Sequence, residues 1–69
     1  YKTRLQEYLA RDSRRPLYSV QGTGPDHNRT FTATVTVEGA ELGVGSGRSK
    51  KAAEQAAAKQ ALSTLEAES

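Results

Sequence analysis

Four neighbouring residues combine positive charge with the start of a predicted helix. Ser49 is a good helix N-cap, because its hydroxyl accepts a hydrogen bond from a free amide of the first turn. Lys50 and Lys51 would then be the first two helical residues, where cations oppose the helix macrodipole. Together with Arg48 they surround free backbone amides with positive side chains. Because such a helix start attracts anions, we predict a phosphate-binding site there.

Alternating glycines precede this site, but their spacing matches no nucleotide-binding loop. A Walker A loop needs a glycine directly before its lysine, where this chain has Ser49. A dinucleotide fingerprint needs a third glycine at the position of Arg48. The Gly-x-x-Gly pair of a KH-type clamp occurs nowhere in the chain. We therefore predict no small-molecule substrate and expect the phosphates of a polymer backbone.

Composition excludes several classes of function. Residues 1–69 make one domain, and because the chain begins with Tyr1 instead of Met we expect a piece of a longer protein. There is no cysteine and only one histidine, so we predict no disulfide, no metal site and no cofactor for this domain. No apolar run approaches the roughly 20 residues of a membrane span, and we expect a cytoplasmic protein. The net charge of +2 is mild, so the position of the charges must identify the partner.

The elements that position these side chains follow from hydrophobic periodicity. In chain order the pattern predicts a helix, three strands and a helix, at residues 1–11, 17–21, 29–38, 41–45 and 50–65. Turns are predicted between the strands, at residues 22–28 and 38–40. Strict alternation in the second strand indicates a sheet with one buried face. We therefore predict an α+β fold, α-β-β-β-α, with a three-stranded antiparallel sheet and both helices packed on one face.

The outward face of the first predicted helix is polar and mostly uncharged. Thr3, Gln6, Glu7 and Ala10 lie on this face, opposite the apolar side chains of the helix. Thr3 and Gln6 are also spaced as a capping box, Thr-x-x-Gln, which would give them a purely structural role. From these residues alone, the capping box and a contact surface are both open interpretations.

Several segments, taken together, resemble one known family. The segments lie at residues 16–18, 24–27, 43–51, 57–58 and 61–62, together with Phe31, Val35, Val37 and Gly39. In this order and spacing they resemble the double-stranded RNA-binding domain family over nearly the whole chain. Residues 1–7 and 50–55 are similar to the C-terminal domain of bacterial ribonuclease III.

The resemblance implies three regions that contact RNA. By position these are Thr3, Gln6 and Glu7 for one minor groove, Pro25 and His27 for the next, and Arg48, Ser49, Lys50 and Lys51 for the phosphates between them. Such domains span about 16 bp and recognise shape more than sequence. The chain departs from many family members at Glu54, where they carry a third lysine. Because Glu54 lies four residues after Lys50, helical spacing allows the two side chains to pair.

The resemblance also implies a parent enzyme outside this domain. We predict no catalytic residues here, because metal-assisted phosphodiester cleavage needs clustered carboxylates and the acidic residues are scattered. The implied parent is a homodimeric ribonuclease III, whose separate upstream domain uses Mg²⁺ to cleave double-stranded RNA, including ribosomal RNA precursors. The isolated domain is expected to be a monomer.

Two alternative functions remain open. The domain could mediate protein–protein contact, although the basic helix start counts against this. It could instead target a deaminase or kinase to RNA, although the opening helix and the pair Glu54-Gln55 favour the nuclease branch.

Overall fold

The chain forms two helices and three strands in the predicted order. The computed structural model describes residues 1–68 as α1 (Lys2–Ala10), β1 (Leu17–Thr23), a 3₁₀ turn (Asp26–Asn28), β2 (Thr30–Val37), β3 (Ala40–Gly47) and α2 (Lys50–Glu68). The α-β-β-β-α prediction is confirmed: β1, β3 and α2 run two or three residues further at their C-terminal ends than predicted, and the other bounds agree within one residue. Over the described residues, neither helix carries an apolar stretch of the length that crossing a bilayer requires.

The strands form one antiparallel sheet in the order β1-β2-β3. β2 and β3 are joined by Glu38 and Gly39, whose φ angles of 52° and 83° are both positive. Two such residues make the kind of two-residue turn whose twist matches that of the flanking strands. The pairing of β2 with β3 shifts register between Val35 and Thr36. Beyond that shift, every second residue of β3 faces the buried side of the sheet.

Three alternating glycines of β3 lie directly under α2. Gly43, Gly45 and Gly47 pair with residues of β2 on the helix-covered face. A Cβ on Gly43 would lie 2.5 Å from the carbonyl oxygen of Ala57, and one on Gly45 would collide with the backbone of Ala56 and Ala57. The glycines therefore allow the helix backbone to rest on the strand, and they do not form a phosphate-binding loop.

The core lies between the sheet and α2, with α1 packed along α2. Its buried members form one cluster: Leu5, Leu9, Ala33, Val35, Val37, Ala53, Ala57, Ala58, Ala61, Leu62 and Leu65. α1 contributes two fully buried leucines to this cluster. At the far end of α1, the Tyr8 hydroxyl donates a hydrogen bond to the carbonyl oxygen of Leu65 at 3.5 Å. Because α2 meets the strand at glycines, the helix side of the core consists mainly of alanines.

We expect Gly45→Ala to destabilise the domain. The added methyl group would force apart the backbones of β3 and α2, and overpacking of this kind typically costs about 1–3 kcal/mol. Urea unfolding measures the change in free energy. Ser46→Ala, on the exposed face of the same strand, is the control and should change the free energy of unfolding by less than about 0.5 kcal/mol. Equal stability of the two variants would contradict the close contact of α2 with β3.

Candidate nucleic-acid interface

The start of α2 is a capped and positively charged helix end. The Ser49 hydroxyl oxygen accepts a hydrogen bond from the Ala52 amide at 3.1 Å, which confirms Ser49 as the N-cap. Arg48, Lys50 and Lys51 are exposed around it, and the first turn of α2 contains no acidic residue. Since the first amides of a helix have no acceptor within it, this end combines free amides with flexible cations, an arrangement suited to phosphate.

The β1–β2 loop is ordered by local backbone contacts. It begins at Gly24, which has a φ of 93°, and a Cβ at this position would lie 2.9 Å from the carbonyl oxygen of Asn28, so both features require glycine. The Asn28 amide donates to the carbonyl oxygen of Pro25 at 2.9 Å, which closes the 3₁₀ turn. His27 lies in the middle of this turn and is exposed. The loop therefore presents Pro25 and His27 on a short projection whose backbone is ordered by the turn.

Strand pairing brings this loop and the start of α2 to the same end of the sheet. The β1–β2 ladder ends where Thr23 pairs with Thr30, and the next residue, Phe31, pairs with Gly47 just before Arg48. The two segments line one concavity of about 380 Å³, formed by Asp26, His27, Asn28, Arg29, Phe31 and Arg48. Two of the three candidate regions therefore share one surface, which sequence spacing alone does not reveal.

The polar face of α1 is free of any capping role. Thr3, Gln6, Glu7 and Ala10 are all exposed, as predicted. The capping-box interpretation is wrong, because α1 has Tyr1 at its N-cap and makes no side-chain capping hydrogen bond there. The hydroxyl and amide of this face are thus available to an external partner.

Glu54 pairs with α1 instead of with Lys50, the partner that helical spacing allows. The Lys2 ammonium nitrogen lies 2.7 Å from a carboxylate oxygen of Glu54. Helical spacing favoured Lys50, because that argument considers only neighbours along one helix. The actual contact places the starts of α1 and α2 side by side. It also balances the negative charge of Glu54 with a cation from another element.

A second concavity adjoins the face of α1. It measures about 370 Å³ and is lined by Gln6, Ala10, Ser13, Arg14 and Arg15. Nothing in the sequence pattern distinguishes these two arginines from ordinary surface charges. The turn after α1, in which Ser13 adopts a φ of 58°, brings them beside the helix face. Arg15 therefore adds positive charge beside the candidate minor-groove face, whereas the charge of Arg14 is offset by Asp12, whose carboxylate lies 3.3 Å away.

The sequence of this chain is similar to known sequences over nearly its whole length. The chain matches the family model described as double-stranded RNA binding motif over residues 1–65. It is 54% identical to Ribonuclease 3 of Bacillus licheniformis over 68 residues, and 54% identical to Ribonuclease 3 of Corynebacterium glutamicum over 67 residues. These matches cover 96% and 94% of this chain, which spans 27% of the length of each relative.

Solved structures match the same fold. The first dsRBD of the protein HYL1 superposes with a TM-score of 0.85 at 38% identity, covering 100% of both chains. A structure of Arabidopsis HYL1 gives a TM-score of 0.84 at 38% identity, covering 94% of each chain. By its sequence match, its α-β-β-β-α architecture and its basic helix start, the chain belongs to the double-stranded RNA binding motif family.

Proposed function

We propose that this domain binds A-form double-stranded RNA by shape, contacting two successive minor grooves and the phosphates between them. One observation carries the proposal: the basic start of α2 adjoins both of the other candidate regions. On one side Glu54 of α2 contacts Lys2 of α1. On the other side Arg48 shares a concavity with His27 of the β1–β2 loop. Phosphate-binding groups in the centre, with groove-binding groups on both sides, match the order of grooves along a duplex.

Each region has chemistry suited to the part of the duplex assigned to it. The 2′-hydroxyl donates and accepts hydrogen bonds, and it is displayed in the wide, shallow minor groove of A-form RNA. The Thr3 hydroxyl and the Gln6 amide can do both as well, while the Glu7 carboxylate accepts. Lys50 and Lys51 are point charges on flexible stems, which suits phosphates whose exact positions vary with sequence.

The β1–β2 loop supplies the second minor-groove contact in this proposal. Pro25 and His27 project from a 3₁₀ turn, and all residues from Gln21 to Thr30 are exposed. A projection that is ordered before binding loses less conformational entropy on entering a groove than a flexible loop would. The His27 imidazole offers a donor and an acceptor to the groove edge.

We further propose that the domain is the substrate-binding part of a ribonuclease III. Support comes from the 54% identity to two such enzymes, of which this chain spans 27%. In this proposal the parent is a cytoplasmic homodimer that cleaves double-stranded RNA, including ribosomal RNA precursors, with Mg²⁺ in a separate domain. Residues 1–68 contain no group of three His, Cys, Asp or Glu side chains placed to hold a metal ion.

A titration with three nucleic acids tests the proposed function. An RNA duplex of about 20 bp exceeds the roughly 16 bp expected for one domain, and the matching DNA duplex and single-stranded RNA are its controls. We expect the RNA duplex to bind most tightly and to weaken with added salt. Equal affinity for RNA and DNA duplexes would contradict recognition through 2′-hydroxyls. Absence of binding to all three would favour the protein–protein alternative.

We expect the double variant Lys50→Ala/Lys51→Ala to bind the RNA duplex more weakly while remaining folded. Each lost phosphate contact should reduce the slope of log affinity against log salt by about one. Affinities at several salt concentrations measure this slope. Lys59→Ala removes one positive charge further along α2 and serves as the control, with a change in slope of less than half that of the double variant expected. An unchanged slope in the double variant would contradict phosphate contact at the helix start.

We expect two substitutions of Ser49 to distinguish its effect on stability, as a helix cap, from its effect on RNA affinity, as part of the phosphate site. Ser49→Ala loses the acceptor for the Ala52 amide and should destabilise the domain by about 1 kcal/mol. Ser49→Asp keeps a capping oxygen, so its stability should stay close to that of the parent chain. Its carboxylate would repel phosphate, so its RNA affinity should fall. Thermal unfolding and RNA titration measure the two effects, and unchanged RNA affinity of Ser49→Asp would contradict an anion site there.

A further inference from the structure

The starts of α1 and α2 are joined by a polar cluster that none of the three RNA-contacting regions includes. The Lys2 ammonium nitrogen lies 2.7 Å from Glu54 and 5.0 Å from the centre of the Tyr18 ring in β1. Lys2 thus connects α1 with both α2 and the sheet. Its hydrogen bond to Glu54, more than their charge attraction, raises the pKa of Lys2 above its usual value. The two charged side chains are only 39% and 24% exposed, so water screens the pair less than it screens a fully exposed one.

A second contact in the same cluster serves the backbone of α1. The backbone amide of Lys2 donates a hydrogen bond to the Gln55 side-chain oxygen at 3.3 Å. Helix starts usually obtain such an acceptor from their own N-cap side chain, but the N-cap of α1 is Tyr1, which makes no such bond. Gln55 of α2 therefore supplies to α1 an acceptor that a local cap would otherwise provide.

α1 is held to the rest of the domain mainly through α2, because its backbone approaches that helix but none of the strands. Leu5 and Leu9 bury the middle of the helix, yet apolar contacts are non-directional and set its rotation only loosely. Directional contacts lie at its two ends. The far end has the 3.5 Å hydrogen bond from Tyr8, whereas the near end has the 2.7 Å bond to Glu54 and the 3.3 Å bond to Gln55. The near end is also the one beside Lys50 and Lys51.

We propose that Glu54 is a positioning residue, which together with the neighbouring Gln55 contact holds the minor-groove face of α1 at a fixed orientation to the phosphate site of α2. The inference rests on the proposed RNA-binding function and assigns neither residue a contact with RNA. A carboxylate one turn from Lys50 is unfavourable near a polyanion if charge alone is considered. Its pairing with Lys2 offsets this repulsion and orients α1. Both surfaces can then engage one duplex without a further rearrangement.

The two accounts of Glu54 predict opposite effects for Glu54→Gln. If charge alone matters, removal of a carboxylate beside the phosphates should tighten RNA binding. If Glu54 positions α1, replacing its charge-assisted hydrogen bond from Lys2 by a weaker neutral-acceptor one should weaken binding to the RNA duplex by about three- to tenfold, because a hydrogen bond between charged groups is roughly twice as strong as a neutral one. The salt slope should stay unchanged, because no phosphate contact is lost, and the preference for RNA over DNA should fall. Glu41→Gln, on the exposed face of β3, is the control for charge removal.

A double-mutant cycle with Lys2→Met tests whether the two side chains act as a pair. We expect each single variant to weaken RNA binding and the double variant to be no weaker than the worse of the two. Additive losses would indicate separate roles and would overturn the proposal. Thermal unfolding of each variant identifies the temperature range in which all variants are folded, and the RNA titrations are carried out within that range. If Glu54→Gln does not fold, the proposal is tested with Lys2→Met alone. Unchanged RNA affinity or an altered salt slope in that variant would overturn the proposal.

The outcomes separate this inference from the proposed function. Equal or tighter binding by Glu54→Gln, with the unaltered chain still preferring double-stranded RNA, overturns the positioning role and leaves the function standing. Failure of the unaltered chain to bind double-stranded RNA overturns both. Weaker binding with an unchanged salt slope and a non-additive cycle supports both.

Discussion

The direct contact between α2 and the glycine strand is the constraint on which the rest of the structure depends. Because β3 carries glycine at positions 43, 45 and 47, the backbone of α2 rests on the strand, and alanines such as Ala57 complete the contact. This contact determines the direction in which the axis of α2 crosses the sheet. The helix therefore starts at the end of the sheet where the β1–β2 loop also lies, beside Arg48.

Stability and binding make opposite demands on the start of α2. Cations in the first turn oppose the helix macrodipole, and a helix selected only for stability would carry acids there. Lys50 and Lys51 occupy these positions, and the Ser49 cap limits the cost by satisfying the Ala52 amide. The acid that does occur nearby, Glu54, is neutralised by a cation from α1. The helix start thus keeps a positive surface although an acid lies one turn away.

Two interpretations from sequence were wrong for the same physical reason. The capping box at Thr3 and Gln6 and the pairing of Glu54 with Lys50 were both inferred from spacing along one helix. In the folded chain, Gln55 supplies the acceptor at the start of α1 and Lys2 is the partner of Glu54. Both actual contacts join residues more than 50 positions apart, so no local pattern contains them.

The sequence by itself determined the elements and their order, because periodicity, turn residues and the Ser49 cap are properties of neighbouring residues. It also located the basic helix start and the polar face of α1. Only the tertiary structure decided which of these features meet, since that depends on how α2 lies on the sheet and how α1 lies on α2. The packing role of the glycines, the concavity shared by His27 and Arg48, and the contact of Lys2 with Glu54 all arise from that packing.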